Sequence, residues 1–262
     1  MRRPVTLITG ASAGIGAALA QVFSARGHEV ALLARRAPQL QLLADSIEAT
    51  GKNRPHILPI DLLRADATVR TDNELHARGL EPAIIVNNAG FGLQGQAVTL
   101  NRAEQLAMID LNVRVLTDLS LRFVDSLARH RGGILNVGSV ASYLPGPGMA
   151  VYHATKAYVL SFTEALHREL SPRGIRVTAL CPGPVETEFQ SRANIPENYF
   201  PHFMSERVEV VARQGYDGFM RGKRVVVPGI ENKVVTFLPK LLPRSFVLKM
   251  VRSSRGEPKS KV

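Results

Sequence analysis

Residues 9–16, Thr-Gly-Ala-Ser-Ala-Gly-Ile-Gly, decide the fold. An apolar run at residues 5–8 precedes them and a second apolar run follows, which predicts a strand, a glycine turn and a helix. Gly10 allows a tight exit from the strand, Gly14 leaves room for an anion near the backbone, and Gly16 lets the helix lie close to the sheet. Because a helix N-terminus offers unpaired N–H groups, the turn is predicted to hold a pyrophosphate. Taken alone, a glycine turn is equally typical of an ordinary connection between a strand and a helix.

Length and cysteine content limit the class of protein. A chain of 262 residues fits one α/β domain built around a single sheet. The single cysteine, Cys181, lies in an apolar run, which is typical of a buried reduced thiol. No apolar run approaches the ~18 residues that a membrane span needs. We therefore expect a cytoplasmic protein.

The net charge of +11 is concentrated at the C-terminus. Residues 233–262 carry eight Lys or Arg and one acid, which gives +7 there and +4 for the other 232 residues. The rest of the chain has neither zinc-type Cys/His spacing nor a basic helix with interleaved aromatic residues, so we expect no metal site and no nucleic-acid partner. Apolar residues lie among the C-terminal charges, a composition compatible with weak contact to an anionic membrane. Short helices packed over the substrate edge are the alternative interpretation.

The remainder of the chain alternates between short apolar runs and helical patterns. Strands are predicted at residues 30–34, 56–60, 83–86, 134–137, 176–180 and 224–227, and helices at 38–49, 65–78, 102–127 and 152–170. Continuously apolar strands separated by helices indicate a doubly wound parallel sheet covered on both faces. We predict an α/β single domain with a seven-stranded parallel sheet over residues 1–230. A substrate lid would lie at about 182–203, and a basic extension at 231–262.

Tyr152 and Lys156 give a second chemical signal in the run Tyr-His-Ala-Thr-Lys. Residues four apart share one face of a helix, so the phenol and the ammonium can point into one cleft, where the ammonium favours the phenolate. His153 is turned about 100° away and is interpreted as packing. Ser139 follows the fifth predicted strand, thirteen residues before the tyrosine, so we expect its hydroxyl at the same edge. Each residue alone has an ordinary alternative, with Ser139 capping a turn and Lys156 solvated on a helix.

Together these motifs resemble the short-chain dehydrogenase/reductase family. The resemblance covers most of the chain and rests on residues 9–16, Asp61, residues 87–90, Asn112, Ser139, Tyr152, Lys156, Pro182-Gly183 and Thr187. It implies hydride transfer between C4 of a nicotinamide and a carbonyl or secondary alcohol. Tyr152 would be the general acid/base, and Ser139 would hold the substrate oxygen. Lys156 would bind the nicotinamide ribose and lower the tyrosine pKa, and Asn112 would hold a water that relays protons to Lys156.

The resemblance also implies a coenzyme-binding set along the carboxyl edge of the sheet. Its predicted members are Gly10, Ser12, Ala13, Gly14, Ile15, Gly16, Arg35, Arg36, Asp61, Leu62, Asn88, Ala89, Gly90, Tyr152, Lys156, Pro182, Gly183, Val185 and Thr187. Asp61 would accept a bond from adenine, although an Asp after a strand is often only a turn former. Asn87 and Asn88 are expected to bond neighbouring strand ends. Asn112 has the alternative of bonding backbone at a helix irregularity.

The end of the second strand bears on the choice of coenzyme. A carboxylate there binds the 2′-hydroxyl and repels a 2′-phosphate, but this sequence reads Ala34-Arg35-Arg36. Because a guanidinium pairs with phosphate through charge-assisted bonds, NADP(H) is predicted over NAD(H). Arg35 is the first expected contact and Arg36 the second, with Ser12 assisting. Ala13, where NADP-using relatives often carry a basic residue, does not favour this choice, and exposed loop charges are the alternative for both arginines.

Two segments define the expected substrate side, the loop 143–149 and the lid. Their apolar walls suit a hydrophobic carbonyl or alcohol, and lid aromatics that simply pack the lid shut are an equal alternative. The lid residues concerned are Phe189, Ile195, Tyr199, Phe200 and Phe203. The resemblance further implies a homodimer or homotetramer formed through the long helices that contain Asn112 and Tyr152. Two other functions stay open: a non-catalytic nucleotide-sensing protein of this fold, and a peripheral membrane protein acting through its basic tail.

Overall fold

The computed structural model describes residues 2–196, 205–240, 242–243 and 245–248. Seven strands form one parallel sheet in the order β3-β2-β1-β4-β5-β6-β7. The strands are β1 Arg3–Thr9, β2 Val30–Ala34, β3 His56–Pro59, β4 Leu80–Asn87, β5 Gly133–Val137, β6 Arg176–Leu180 and β7 Val225–Val226. The prediction of a single doubly wound sheet with seven parallel strands is confirmed.

Helices cover both faces of the sheet. They are α1 Gly14–Ala25, α2 Ala37–Glu48, α3 Ala67–Ala77, α4 Arg102–Ile109, α5 Leu116–Arg122, α6 Val124–Arg129, α7 Ala150–Leu170, α8 Glu188–Arg192, α9 Val208–Met220 and α10 Ile230–Phe237. Short 3-10 turns lie at Val140–Tyr143, Ser171–Arg173 and Leu238–Lys240. Of the helices within these described ranges, none has the length and apolar character to cross a bilayer.

Alternation along the strands divides the core into two layers. Successive strand side chains point to opposite faces, so Leu7 joins the core formed with α3 to α7, and Ile8 joins the core formed with α1, α2 and α9. Both side chains are fully buried. The strand order reverses between β1 and β4, and the carboxyl ends of these strands face one edge of the sheet.

The predicted continuous helix over residues 102–127 is helical as far as Arg122, with a π-helical segment inside it, and the prediction is wrong where it crosses Phe123. α4 ends at Ile109, a π-helical segment occupies Asp110–Val115, and Phe123 separates α5 from α6 with φ −105° and ψ 14°. Inside the π-helical segment, Asn112 accepts a bond from the N–H of Phe91 at 3.2 Å and donates to its carbonyl at 3.0 Å. These bonds reach a separate loop, and a helical pattern in the sequence carries no sign of them.

Helix α9 lies where the sequence pattern predicts no element. Gly215 and Gly218 lower the helix propensity of this segment. A Cβ at Gly215 would lie 2.7 Å from Cδ2 of Leu180, and a Cβ at Gly218 would collide with Val226. The two glycines therefore allow α9 to pack closely on β6 and β7, and this tertiary requirement outweighs local propensity.

Candidate active site

The carboxyl ends of the strands border a cleft of about 1190 Å³. It lies where the strand order reverses, the position at which ligands bind in open α/β sheets. The predicted site residues that line it are Gly10, Ser12, Ala13, Gly14, Ile15, Arg35, Arg36, Asp61, Leu62, Asn88, Ala89, Gly90, Ser139, Tyr152, Lys156, Pro182, Gly183, Val185 and Thr187. Gly16 and Asn112 are predicted site residues that do not line it.

The glycine turn leaves its backbone open to the cleft. Gly10 and Gly14 have φ of +65° and +55°, in the left-handed region that glycine favours. A Cβ at Gly10 would lie 2.8 Å from Nδ2 of Asn88, and a Cβ at Gly16 would collide with the carbonyl oxygen of Gly10. α1 begins at Gly14. The residue before it, Ala13, has no polar side chain, so no side-chain cap occupies the first N–H groups of the helix. The turn therefore fits the pyrophosphate of a dinucleotide.

Two asparagines fix the floor of the cleft. The hydroxyl of Thr9 accepts bonds from the N–H groups of Asn88 and Ala89, both at 3.0 Å. Nδ2 of Asn88 donates to the Thr9 carbonyl at 3.0 Å, and Nδ2 of Asn87 donates to Oδ1 of Asn136 at 2.9 Å. These bonds connect β1, β4 and β5, and the structural work expected of both asparagines is confirmed.

Ser139, Tyr152 and Lys156 come together at one wall of the cleft. Tyr152 and Lys156 lie on α7 with exposed fractions of only 8% and 6%. Oγ of Ser139 accepts the N–H of Ala141 at 3.1 Å, which caps the 3-10 turn. Nζ of Lys156 donates to the carbonyl of Val137 at 2.8 Å and lies 5.8 Å from the centre of the Tyr152 ring. The alternative of a solvated Lys156 is wrong.

Burial sets the protonation of this pair. Loss of water raises the pKa of Tyr152 to about 12, against a smaller lowering by its hydrogen bond with Ser139. Burial lowers the pKa of Lys156 to about 8. The tyrosine pKa therefore shifts opposite to the expectation from sequence, because desolvation of the phenolate is the largest cause. At neutral pH the wall presents a protonated phenol, which can donate a proton.

Asn112 lies behind the pair and is 1% exposed. Besides its two bonds to Phe91, its Nδ2 donates to Oγ1 of Thr155 at 3.1 Å. A Cβ at Gly90 would lie 2.9 Å from Oδ1 of Asn112 and 3.7 Å from Nζ of Lys156. The alternative of an asparagine that bonds backbone at a helix irregularity is therefore observed. A water relay to Lys156 stays a prediction.

Three guanidinium groups enter the cleft near the end of β2. Arg35 and Arg36 line it after β2, and Arg192 lines it from α8. Nε and Nη2 of Arg36 donate to Oγ of Ser12 at 3.2 and 3.1 Å, and Nη2 forms an ion pair with Oε2 of Glu188 at 2.8 Å. Burial, then the charges of Arg35 and Arg36, lower the pKa of Arg192, so the three cations share one region.

Asp61 follows β3 and serves both as a turn former and as part of the cleft. Its Oδ1 accepts the N–H of Leu63 at 3.1 Å, which is the ordinary alternative, and its side chain also lines the cleft beside Leu62. The adenine contact stays a prediction. Within the described residues, no group of three or more His, Cys, Asp or Glu side chains could hold a metal ion.

The predicted lid segment brings apolar side chains to the wall that carries Tyr152. Phe189 and Ile195 line the cleft, and the Phe189 ring lies 5.4 Å from the Tyr152 ring at an angle of 50°. His153 also borders the cleft, with its Nδ1 at 2.8 Å from the carbonyl oxygen of Leu144, as a packed and bonded residue would. The other predicted lid residues, Tyr199, Phe200 and Phe203, lie outside the described residues.

Sequence reasoning did not single out several residues that line the cleft, among them Glu188, Arg192 and Val235. Glu188 and Arg192 enter from α8, and Arg192 lies over the Phe91 ring at 4.4 Å. Their spacing of four residues on one helix, next to the lid motif Thr187, was the signal that could have revealed them. Val235 enters from α10, so the predicted C-terminal extension contributes to the cleft. This agrees with the alternative of short C-terminal helices packed over the substrate edge, although the sequence does not show which apolar residue faces the cleft.

Known proteins share the sequence pattern and the fold of this chain. The family model for short chain dehydrogenase matches residues 4–198. Sulfoacetaldehyde reductase 2 of Chromohalobacter salexigens is 37% identical over 188 residues, which cover 71% of this chain and 74% of the relative. The structure of a short-chain dehydrogenase from Sphingobium yanoikuyae in complex with NADPH is 31% identical, with a TM-score of 0.81 and 99% and 98% of the two chains covered. The structure of 3-ketoacyl-(acyl-carrier-protein) reductase from Brucella melitensis complexed with NADH is 25% identical, with a TM-score of 0.75 and 87% and 97% covered.

Proposed function

Because the chain belongs to the short-chain dehydrogenase family, whose members act on CH–OH groups with a nicotinamide coenzyme, we propose an NADP(H)-dependent carbonyl reductase or alcohol dehydrogenase. One observation carries the proposal. Ser139, Tyr152 and Lys156 meet at one wall of a cleft that also contains the glycine turn and the arginines after β2. The proposed proton donor, Tyr152, and the proposed dinucleotide-binding turn thus line the same cleft.

The residues of this wall would handle the proton of the reaction. A nicotinamide supplies or accepts hydride at its C4 when bound. The hydroxyl of Ser139 holds the substrate oxygen, and Tyr152, protonated at neutral pH, donates its proton to that oxygen during reduction. Lys156 is anchored on the Val137 carbonyl, binds the ribose and offsets the charge of the phenolate left behind.

The preference for NADP(H) is proposed from this chain's own residues, because similar structures hold either NADPH or NADH. No carboxylate ends β2, and Arg36 with Ser12 forms a group of donors at that point. A guanidinium and a hydroxyl match a 2′-phosphate through charge-assisted bonds. The contact with Ser12 favours Arg36 as the first ligand, ahead of Arg35.

Assembly and location complete the proposal. Leu106, Ile109, Leu121 and Tyr158 are exposed on the helices from α4 to α7, which supports a homodimer or homotetramer paired through these helices. Cys181 is free and buried, which supports a reducing compartment, and we place the protein in the cytoplasm.

A panel of ketones and alcohols, followed by coenzyme absorbance, tests the proposed function. We expect turnover with a higher kcat/KM for NADPH than for NADH. Replacing Ala34 by Asp together with Arg35 by Ala should shift the preference toward NADH by several-fold, since the new carboxylate binds a 2′-hydroxyl and repels a phosphate. A parent protein that prefers NADH would contradict the NADP(H) assignment, and a parent that binds coenzyme but reduces or oxidises no substrate would contradict the catalytic one.

A further inference from the structure

Helix α10 lies beside the cleft and presents an inner face to it. Asn232 and Thr236 are buried, and Val235 lines the cleft. The amide of Asn232 packs against Gly183, where a Cβ would collide with it, and its Nδ2 donates to the carbonyl of Pro228 at 3.0 Å. The inner face is therefore held next to the carboxyl end of β6, at the catalytic edge of the sheet.

The outer face of α10 is apolar and exposed. Six of the fourteen exposed large hydrophobic side chains among the described residues fall within residues 230–248. They are Ile230, Val234, Phe237, Leu238, Phe246 and Leu248, exposed by 74%, 59%, 60%, 42%, 53% and 41%. The first four are spaced as one stripe along a helix. An apolar stripe of this kind on a folded protein marks an interaction surface.

The chain next to this stripe is strongly basic. Lys233 and Glu231 are both exposed on α10 itself, and the positive charge lies in the sequence that follows, where residues 240–262 carry seven Lys or Arg against the single acid Glu257. An apolar stripe with basic neighbours is typical of helices that lie on anionic membranes, where each cation adds attraction. A second copy of the chain fits less well, because a two-fold interface would bring the same basic segments together.

We propose that the outer face of α10 docks on the surface of an anionic lipid bilayer, to which the basic sequence after it adds electrostatic attraction. A helix of eight residues is too short to cross a membrane, so α10 lies in the plane of the interface. Because Val235 on the inner face borders the cleft, docking brings the catalytic edge of the sheet to the membrane surface. An apolar carbonyl compound dissolved in the lipid can then reach the cleft from the bilayer.

Vesicle flotation of the full chain tests this proposal. Phosphatidylcholine vesicles with phosphatidylglycerol should carry the parent, vesicles of phosphatidylcholine alone should not, and added salt should release it. Val234→Glu with Phe237→Glu should lower the bound fraction by about 10-fold, because the stripe loses apolar area and gains negative charge. Leu42→Glu with Val98→Glu is the matched control at positions that are 69% and 90% exposed, and it should bind like the parent.

The outcomes separate the lipid surface from other occupants. Equal recovery of the parent with both vesicle types would overturn the proposal, and so would unchanged binding by the α10 variant. Light scattering addresses a second copy: a parent dimer that the α10 substitutions convert to monomer, without flotation of the parent, would assign the face to self-association. The coenzyme affinity of each variant shows whether that variant is folded. The comparison of the two vesicle types uses the parent alone, so it tests the proposal even if a variant does not fold.

Discussion

The ion pair between Arg36 and Glu188 makes a quantitative prediction about coenzyme affinity. A 2′-phosphate that binds Arg36 must compete with a carboxylate already 2.8 Å from its Nη2. The two side chains are 41% and 63% exposed, and pairs of such exposure contribute about 0.2–1 kcal/mol. Glu188→Gln removes this competition, so it should tighten NADPH binding by roughly 1.4-fold to 5-fold. NADH lacks the 2′-phosphate, so the affinity for NADH should stay the same.

Fluorescence titration with NADPH and NADH at low ionic strength measures this effect. Glu186→Gln is the matched control, because Glu186 is exposed, stands two residues away and does not line the cleft. The gain for NADPH should shrink as salt screens the pair. Unchanged NADPH affinity in Glu188→Gln, equal tightening toward NADH, or the same gain in Glu186→Gln would refute the reasoning.

Three further predictions concern stability and assembly. Lys156→Met should raise the free energy of unfolding at pH 7 by up to about 3 kcal/mol, since burial lowers the lysine pKa from 10.5 to about 8. As the pH rises, the folded protein releases this proton before the unfolded chain does, so the cost of burying the charged lysine falls. Urea unfolding should therefore show a smaller gain in stability for Lys156→Met at pH 9.5 than at pH 7. Asn112→Ala should lower the free energy of unfolding by about 1–3 kcal/mol, because the buried N–H and carbonyl of Phe91 lose their partner. Thermal unfolding measures this effect, with the neighbouring surface change Arg114→Ala as the control. Light scattering should show a dimer or tetramer that Leu121→Lys dissociates, and a parent monomer of 28.6 kDa would contradict the assembly.

The sequence predicts the strands of this protein more accurately than its helices. The second and sixth predicted strands coincide with β2 and β6 at both ends, because strands buried on both faces are continuous apolar runs. The helix over residues 102–127 contains a π-helical segment in which Asn112 bonds Phe91, and α9 contains glycines that its packing requires. Both features depend on contacts between distant parts of the chain, which local propensity does not contain.

The site could be predicted where its residues follow strand ends or share a helix face. Ser139, Tyr152 and Lys156 meet these conditions, and they lie together in the structure. The contact between Glu188 and Arg36 could not be predicted, because it forms across the cleft between parts of the chain far apart in sequence. The raised pKa of Tyr152 was missed because spacing along a helix reveals neighbours but not the extent of burial.

Transfer of deuterium from C4-deuterated NADPH to a ketone substrate, measured in the parent and in Tyr152→Phe, tests the proposed reaction most directly. We expect the alcohol made by the parent to carry the label at its carbinol carbon, with the hydroxyl proton from solvent. Tyr152→Phe should lose at least ~10²-fold in rate, because it lacks the transferable proton, and should keep its affinity for NADPH. A carbinol hydrogen that comes from solvent, or a Tyr152→Phe rate equal to that of the parent, would contradict the assignment of Tyr152 as the acid in an NADP(H)-dependent hydride transfer.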